Sequence, residues 1–308
     1  MILLGLITGW LMNVKPLKVL VDPILFIMVF PMMLSVKIKD ILEVIKSPRA
    51  VMLSVAINFT IAPVLAYILG KIFLSHDPML LLGMILIGLI PTSGMTASWT
   101  GLAGGRVQTA VVMMTVNLLI SMAAIPIYLN LFMASQIEIN TFSIVLSLLR
   151  VVVFPLVVAM LTRTFIVKVR GEEYFKSLKP LFGGVSAIGV MAIVWLAIAL
   201  KAKTIINQPM MALQVTVPLI IFYAVLILIS SLAERFVTID EDRSALVFGT
   251  ALRNLTIALG MSMSVFGESL AVLLIAIAYV IQLPAAVLYM KRSLRSKRSK
   301  ISVAKSNA

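Results

Sequence analysis

Two clusters of polar side chains lie inside long apolar stretches of this chain, one in each half. The first, Pro91-Thr92-Ser93-Gly94-Met95-Thr96-Ala97-Ser98-Trp99-Thr100, carries five hydroxyls within nine residues. The second, Thr250-Ala251-Leu252-Arg253-Asn254-Leu255-Thr256, sets a guanidinium beside an amide and hydroxyls. Groups of this kind bind a polar or anionic solute. An Arg near the bilayer centre costs from about 2.5 to more than ~10 kcal/mol depending on method, so it must face a polar interior or a counter-charge. Two fates are open to Arg253: it binds an anionic group, or it neutralises the C-terminal carbonyls of an interrupted helix. The hydroxyls have two as well, lining a site or bonding back to the preceding turn.

Pro91 removes an N–H and Gly94 admits non-helical angles, so a helix break is expected there. A half-helix starting near Gly94 would aim free N–H groups at a central cavity. Thr250 marks the matching break in the second half. Non-helical backbone in hydrocarbon has to line a cavity or be buried in protein, and interrupted helices at matching places in two halves point to a transporter's binding site. Trp99 either walls that cavity or is an ordinary packed aromatic.

The elements that hold these clusters follow from composition. The chain has 308 residues, 61% hydrophobic and 12% charged, with a mean hydropathy of +1.13. A soluble domain is nearer half apolar and a quarter charged. At roughly 20 residues per membrane crossing there is room for about ten helices and no separate soluble domain. The net charge of +14 would suggest nucleic acid on a soluble protein; here the charges sit in loops, and no nucleic-acid partner is expected. With no cysteine and a single histidine, His76, disulfides, thiolate or multi-His metal sites and Cys nucleophiles are excluded. No cofactor or metal is implied. The apolar run Met1–Leu11 lacks a basic start and a small-residue cleavage pattern, so it reads as a truncated first helix rather than a removable signal.

Hydropathy places spans at 1–13, 19–36, 49–74, 79–103 (broken), 106–133, 142–167, 179–201, 209–232, 243–266 (broken) and 269–290. The basic residues test this layout. One side holds Lys37, Lys39, Lys46, Arg49, Arg106, Arg163, Lys168, Arg170, Lys176, Lys179, Arg235, Arg243 and seven in the tail, against Lys15, Lys18, Lys71, Lys201 and Lys203 on the other. The positive-inside rule then puts both termini in the cytoplasm of a multi-pass cell-membrane protein. The expected organisation is one transmembrane unit over 1–290 and a basic, disordered cytoplasmic tail over 291–308. Arg150 and Arg253 are left over from this count and lie within apolar spans. No Asp or Glu is expected at their depth, the nearest being Asp22, Glu234 and Glu268.

An internal two-fold pattern accompanies the breaks. Each broken segment ends near glycine (Gly104-Gly105; Gly267) and leads into an apolar helix with a late proline and tyrosine, Pro126 and Tyr128 in one half, Pro284 and Tyr289 in the other. Lys15-Pro16-Leu17 and Lys179-Pro180-Leu181 echo one another ahead of the second helix of each half. Five plus five helices would give the halves opposite orientation, an inverted repeat.

Other polar residues have simpler readings. Asn58 and Asn117 are isolated amides in apolar helices, where interhelical hydrogen bonding is the default. Arg150, eight residues into its span, either snorkels to the interface or has a functional role. The 20 methionines fill gaps between helices. His76-Asp77-Pro78 reads as a turn. Ser186, after Gly183-Gly184-Val185, is the kind of residue an intramembrane hydrolase would use, but no His, Asp pair or Lys base accompanies it.

The ordered set Pro31…Leu34-Ser35, Asn58-Phe59…Pro63, Pro91–Gly105 with Leu102-Ala103-Gly104-Gly105, and Arg253-Asn254…Ala258-Leu259 followed by Gly267 resembles the bile acid:sodium symporter superfamily, which includes arsenite permeases. The resemblance covers nearly everything from Asp22 to Met290. It implies an all-α fold of ten transmembrane helices in two inverted five-helix repeats, with interleaved panel and core subdomains. The fourth and ninth helices would be unwound and cross, with substrate beside the crossing and transport by alternating access. It also implies a departure. Positions that ligate Na⁺ in sodium-coupled members read here Thr96-Ala97, Ala110, Met114, Gly249, Arg253 and Asn58. The carboxylate is gone, and a fixed cation, Arg253, stands in the position of the ninth-helix Gln. The cysteine of the arsenite branch aligns with Thr92, and soft As(III) prefers thiolate.

The function expected is a secondary transporter of a small organic anion, not coupled to sodium. Thr92, Ser93, Thr96, Arg253 and Asn254 would line the site with Asn58 nearby, and Pro91, Gly94 and Thr250 would make the helix breaks. Metalloid efflux is the alternative within the same fold; a channel, a membrane sensor or a hydrolase are the readings outside it. The partners expected are the solute, the bilayer and a second copy of the chain in a homodimer.

Overall fold

The computed structural model of the protein describes residues 1–34, 48–137, 140–207, 209–267 and 269–306. Ser35, Lys37, Lys39, Lys46 and Glu268, which enter the sequence reading, lie outside the described residues. Among the described residues every regular element is a helix. In order they are α1 (Ile2–Leu11), α2 (Val21–Met33), α3 (Pro48–Ala56), α4 (Ala62–Leu74), α5 (Pro78–Leu89), α6 (Thr96–Leu102) and α7 (Val107–Met133). Then come α8 (Thr141–Leu148), α9 (Phe154–Ser177), α10 (Lys179–Asn207), α11 (Pro209–Ala233), α12 (Asp240–Ala251), α13 (Leu255–Phe266) and α14 (Leu270–Ser306).

Local chemistry accounts for the starts and joints. At the His76-Asp77-Pro78 turn, the Asp77 carboxylate accepts from the backbone N–H groups of Met79 (2.7 Å) and Leu80 (3.1 Å), and Pro78 opens α5. Both devices suit a helix N-terminus, whose first amides have no partner of their own. Two π-helical turns, Ile57–Ile61 and Leu149–Val153, join α3 to α4 and α8 to α9. Each lies just ahead of a proline, Pro63 or Pro155. Proline lacks the N–H and crowds the carbonyl four residues back, and a wider i→i+5 turn absorbs that mismatch. Asn58 and Arg150 ride on these turns, each five residues before its proline.

Among the described residues eight helical segments are long and apolar enough to cross a bilayer, and the chain is a multi-pass membrane protein. Two of the expected spans are shorter: α1 has 10 residues, and the 79–103 stretch is divided into α5 of 12 and α6 of 7. Burial ranks the rest: the window in Asp240–Phe266 is 100% buried inside the protein, against 28% for Lys15–Met33. The second interrupted segment is therefore interior and shielded from lipid. In one group of helices α10 packs on α1 and α2, and α2 on α9; in the other, α5 packs on α4 and α14, and α12 on α7 and α11. Helix α13 touches both groups, through α2 and α8 on one side and α5 and α14 on the other.

The expected disordered tail is a correction: α14 continues to Ser306. Lys291–Ser306 contains neither Gly nor Pro, so nothing in the sequence stops a helix that has already formed in the membrane.

Close backbone approach sets the packing of α5 on α14. A Cβ placed on Gly83 would lie 2.9 Å from Ala271 Cα and 3.0 Å from its carbonyl oxygen, atoms that cannot rotate away. Overpacking of this kind costs about 1–3 kcal/mol. Gly83→Val is expected to lower the melting temperature of detergent-purified protein by several degrees, with Gly83→Ala in between; an unchanged melting curve for Gly83→Val would contradict this packing.

Candidate functional site

The two interrupted segments meet backbone to backbone. Helix α5 ends at Leu89 and Ile90 leaves helical geometry (φ −100°, ψ 93°); α12 ends at Ala251 and Leu252 does the same (φ −83°, ψ 98°). The Ser93 N–H donates to the Leu252 carbonyl (2.8 Å), and the Asn254 N–H donates to the Ile90 carbonyl (3.2 Å). Each break thus satisfies the other: the first non-helical carbonyl of one takes an amide from the far side of its counterpart. That reciprocity removes part of the penalty for unwinding a helix where no water is at hand.

The first break contains Pro91 and Gly94, whereas the second is displaced from its expected position. Thr250 stays helical, its hydroxyl donating to the Leu246 carbonyl (2.9 Å), and the break occupies Leu252–Asn254. On the other side α6 begins at Thr96, two residues after Gly94. Gly94 has a packing reason as well, because a Cβ there would overlap the Met32 side chain from α2. Thr92 sits at φ 51°, the only non-Gly residue with positive φ among those described. A β-branched residue is strained in that region, by about 1–3 kcal/mol; its hydroxyl, donating to the Gly249 carbonyl at 2.7 Å, is part of what holds it there.

Arg253 lies at the junction with none of its surface exposed. Its Nε donates to the Ile87 carbonyl (2.9 Å) and Nη2 to the Gly88 carbonyl, both in the last turn of α5. Nη1 donates to Asn58 Oδ1 (2.5 Å) and the Thr250 carbonyl (3.2 Å). The cation is therefore caged by the carbonyl ends of two half-helices and one side-chain amide, where the helix dipoles favour positive charge. Asn58 completes the cage by donating to the Gly249 carbonyl (3.1 Å) and to Ser54 Oγ (3.2 Å). The default of an interhelical bond thus describes Asn58, and also Asn117, which donates to Ser54 Oγ at 2.9 Å.

The remaining expected residues surround the same junction. Thr96 Oγ1 donates to the Phe248 carbonyl (3.4 Å), and Ser93 Oγ accepts from the Met95 N–H (3.2 Å). The Asn254 side-chain oxygen caps α13 by accepting from the Ile257 N–H (3.3 Å), while its Nδ2 faces the Met32 sulfur at 4.0 Å. Pro91, Thr92, Ser93, Thr96, Thr250, Arg253, Asn254 and Asn58 are all buried together. Beside Gly249 the space is filled by Met113, whose sulfur would lie 3.1 Å from an added Cβ. No group of three or more His, Cys, Asp or Glu that could hold a metal occurs among the described residues. Trp99 packs against Phe248, and Ser186 ties α10 to α2 by donating to the Met28 carbonyl (2.8 Å).

Sequence reasoning missed two residues. Gln282 of α14 clasps the Arg253 backbone, accepting from its N–H (2.8 Å) and donating to its carbonyl (3.2 Å). A lone amide two residues before Pro284 in an apolar helix was the available signal. Asp242, read as part of a connecting loop, is 1% exposed and bidentate with Arg106 (2.8 and 2.6 Å), with Thr109 donating to it as well (2.6 Å). This pair fastens α12 to the loop between α6 and α7.

Comparison with known sequences converges on one family. The profile of the Sodium Bile acid symporter family matches residues 22–208. The Arsenical-resistance protein Acr3 of Alkaliphilus metalliredigens is 27% identical over 212 residues, covering 64% of this chain and 59% of that protein. Its namesake in Corynebacterium glutamicum is 24% identical over 242 residues, covering 75% of this chain and 65% of that protein. An uncharacterized sodium-dependent transporter of Bacillus subtilis is 26% identical over 192 residues, covering 62% of this chain and 58% of that protein. The chain thus spans less than two thirds of the length of these curated relatives.

Removing the caged cation would leave several buried acceptors unpaired, at about 1–3 kcal/mol each. Arg253→Met is expected to lower the melting temperature strongly, and Arg253→Lys nearly as much, since an ammonium cannot reproduce the planar fork. Thermal unfolding of the purified variants checks this; a Lys variant as stable as the parent would show that charge alone, without the fork, suffices.

Proposed function

The chain belongs to the sodium bile acid symporter family, and on that premise we propose that it is a secondary transporter moving a small organic anion by alternating access without sodium coupling. The observation that carries this reading is the Arg253 cage. Arg253, Asn58 and Gly249 stand where the resemblance puts ion ligands, and here the guanidinium bonds Asn58 while Asn58 bonds the Gly249 carbonyl. A fixed cation already fills that space. A second cation ~4 Å away would be repelled by about 4 kcal/mol even at an effective dielectric of 20, and hard cations usually need a carboxylate among several oxygens.

In this reading the ten helical segments form two inverted five-helix repeats whose fourth and ninth members cross at the paired breaks. The reciprocal Ser93–Leu252 and Asn254–Ile90 bonds are what a pseudo-two-fold axis through the crossing would produce. Helices α1, α2 and α8–α10 make up the panel and the others the core, within one unit over 1–290. Both termini and the basic tail 291–308 face the cytoplasm of a cell-membrane protein. Thr92, Ser93, Thr96 and Asn254, with Asn58 behind them, line the solute site. Arg253 contributes a permanent positive potential from within its cage, next to the N-terminus of α13. The protein is not an enzyme: its family is one of transporters.

The second reading is metalloid efflux, favoured by the two relatives named for arsenical resistance. The absence of any cysteine weighs against it, because hydroxyls bind As(III) poorly compared with thiolates. Protection of an arsenite-sensitive host by expression of the chain would favour this second reading.

Reconstituted protein is expected to take up an organic anion, drawn from a panel of carboxylates and bile acids, at the same rate with inward sodium or potassium gradients. Arg253→Gln is expected to weaken that uptake. Stimulation by sodium alone would overturn the uncoupled mechanism, and unchanged affinity in the Gln variant would remove Arg253 from the site.

A further inference from the structure

Charge at the crossing does not balance. Four half-helix ends meet there, the C-termini of α5 and α12 and the N-termini of α6 and α13. Each end carries about half an elementary charge, negative at a C-terminus and positive at an N-terminus, so the four nearly cancel. Arg253 then adds a whole positive charge. Its side-chain partners, the Ile87, Gly88 and Thr250 carbonyls and the Asn58 amide oxygen, are all neutral. Gln282 clasps its backbone from both sides, so the residue stays where it is.

Among the described residues no carboxylate offsets this charge. Asp242, in the first turn of α12, is ~16 Å from Arg253 along the helix axis and is bidentate with Arg106. The others lie near the ends of their spans: Asp22 and Asp77 at helix starts, and Glu234 just past α11, where it accepts from the Tyr289 hydroxyl (2.8 Å).

A carrier that alternates its access must close its site to water on both sides once in each passage. Closing over an unpaired charge forfeits its solvation; closing over a charge with its counter-ion does not. A monoanion beside Arg253 makes the crossing neutral, so the loaded form turns over while the empty form is held back. Voltage acts on the same difference. A unit charge whose access switches from one aqueous side to the other feels the whole potential, about 50-fold in population per 100 mV. The neutral loaded form feels none of it.

We propose that the protein is an anion exchanger: it reorients with an organic monoanion bound, and the cycle closes by carrying a second anion back rather than by returning empty. This rests on the transport reading and deepens it by naming what drives the cycle, an anion on the opposite side. The positive charge that accompanies the substrate is Arg253 itself, which never leaves.

The test uses sodium-free proteoliposomes and labelled pyruvate, benzenesulfonate and taurocholate, whose acids are strong enough that their neutral forms do not leak. Uptake into liposomes holding the same unlabelled anion should exceed uptake into liposomes holding only Hepes by on the order of ten-fold or more. With potassium and valinomycin setting the potential, exchange should proceed at the same rate at zero and inside-negative voltage, whereas net uptake should slow. Asn58→Asp puts a carboxylate where Nη1 already bonds an oxygen and neutralises the empty carrier, so the advantage of exchange should fall towards one. Asn58→Ala, which loses the same bond without adding charge, should keep that advantage. Equal uptake with and without internal anion, exchange as voltage-sensitive as net flux, or an undiminished ratio in folded Asn58→Asp would each overturn exchange and leave transport standing. If none of the three anions enters in either mode, the transport reading fails and exchange falls with it.

Discussion

Unwound backbone inside a membrane protein has to find partners that water would otherwise supply, and here two unwound segments supply each other. The bonds from Ser93 to Leu252 and from Asn254 to Ile90 account for the exposed ends of the strands of backbone, but not for the last-turn carbonyls of α5 and α12. Those converge on one point, and Arg253 occupies it. A guanidinium suits the position because it is planar, always charged and able to donate in several directions at once. Asn58, Thr92 and Thr96 are arranged around that cation or around the carbonyls it does not reach.

The consequence for mechanism is a change of currency. In the proposed sodium-independent mechanism the crossing has no need of an arriving ion to hold its helix ends together. A covalently attached cation makes the order permanent. The crossing then behaves as a preformed polar surface, with Asn254 capping α13 and Met32 of α2 resting against Gly94 and Asn254. Motion between the two helix groups would expose or cover that surface without remaking it, and α13, which touches both groups, is the element along which they would separate.

Much of this was legible in the chain. Pro91 and Gly94 marked the first break because proline and glycine act on the backbone locally, and Asp77-Pro78 marked the α5 start for the same reason. Arg253 stood out because charge in an apolar run has few explanations. What was not legible depended on partners distant in sequence. The second break lies at Leu252–Asn254, later than Thr250, because the Thr250 hydroxyl can serve its own helix while Leu252 is needed by Ser93. Gln282 acts through its contact with the Arg253 backbone 29 residues away, and no local pattern announces such a pairing. Asp242 looked like a loop residue because its neighbours Asp240, Glu241 and Arg243 are charged; only burial against Arg106 and Thr109 distinguishes it.

The central claim is that the Arg253 guanidinium fills the place at the crossing that a sodium ion would need, and it is tested most directly by equilibrium stability. A ligand that binds only the folded state at a hundred times its Kd stabilises by about 2.7 kcal/mol, which a melting curve resolves. Purified protein titrated with sodium, potassium or choline chloride at constant ionic strength should melt at the same temperature in all three. A saturable rise in melting temperature specific to sodium would contradict the account.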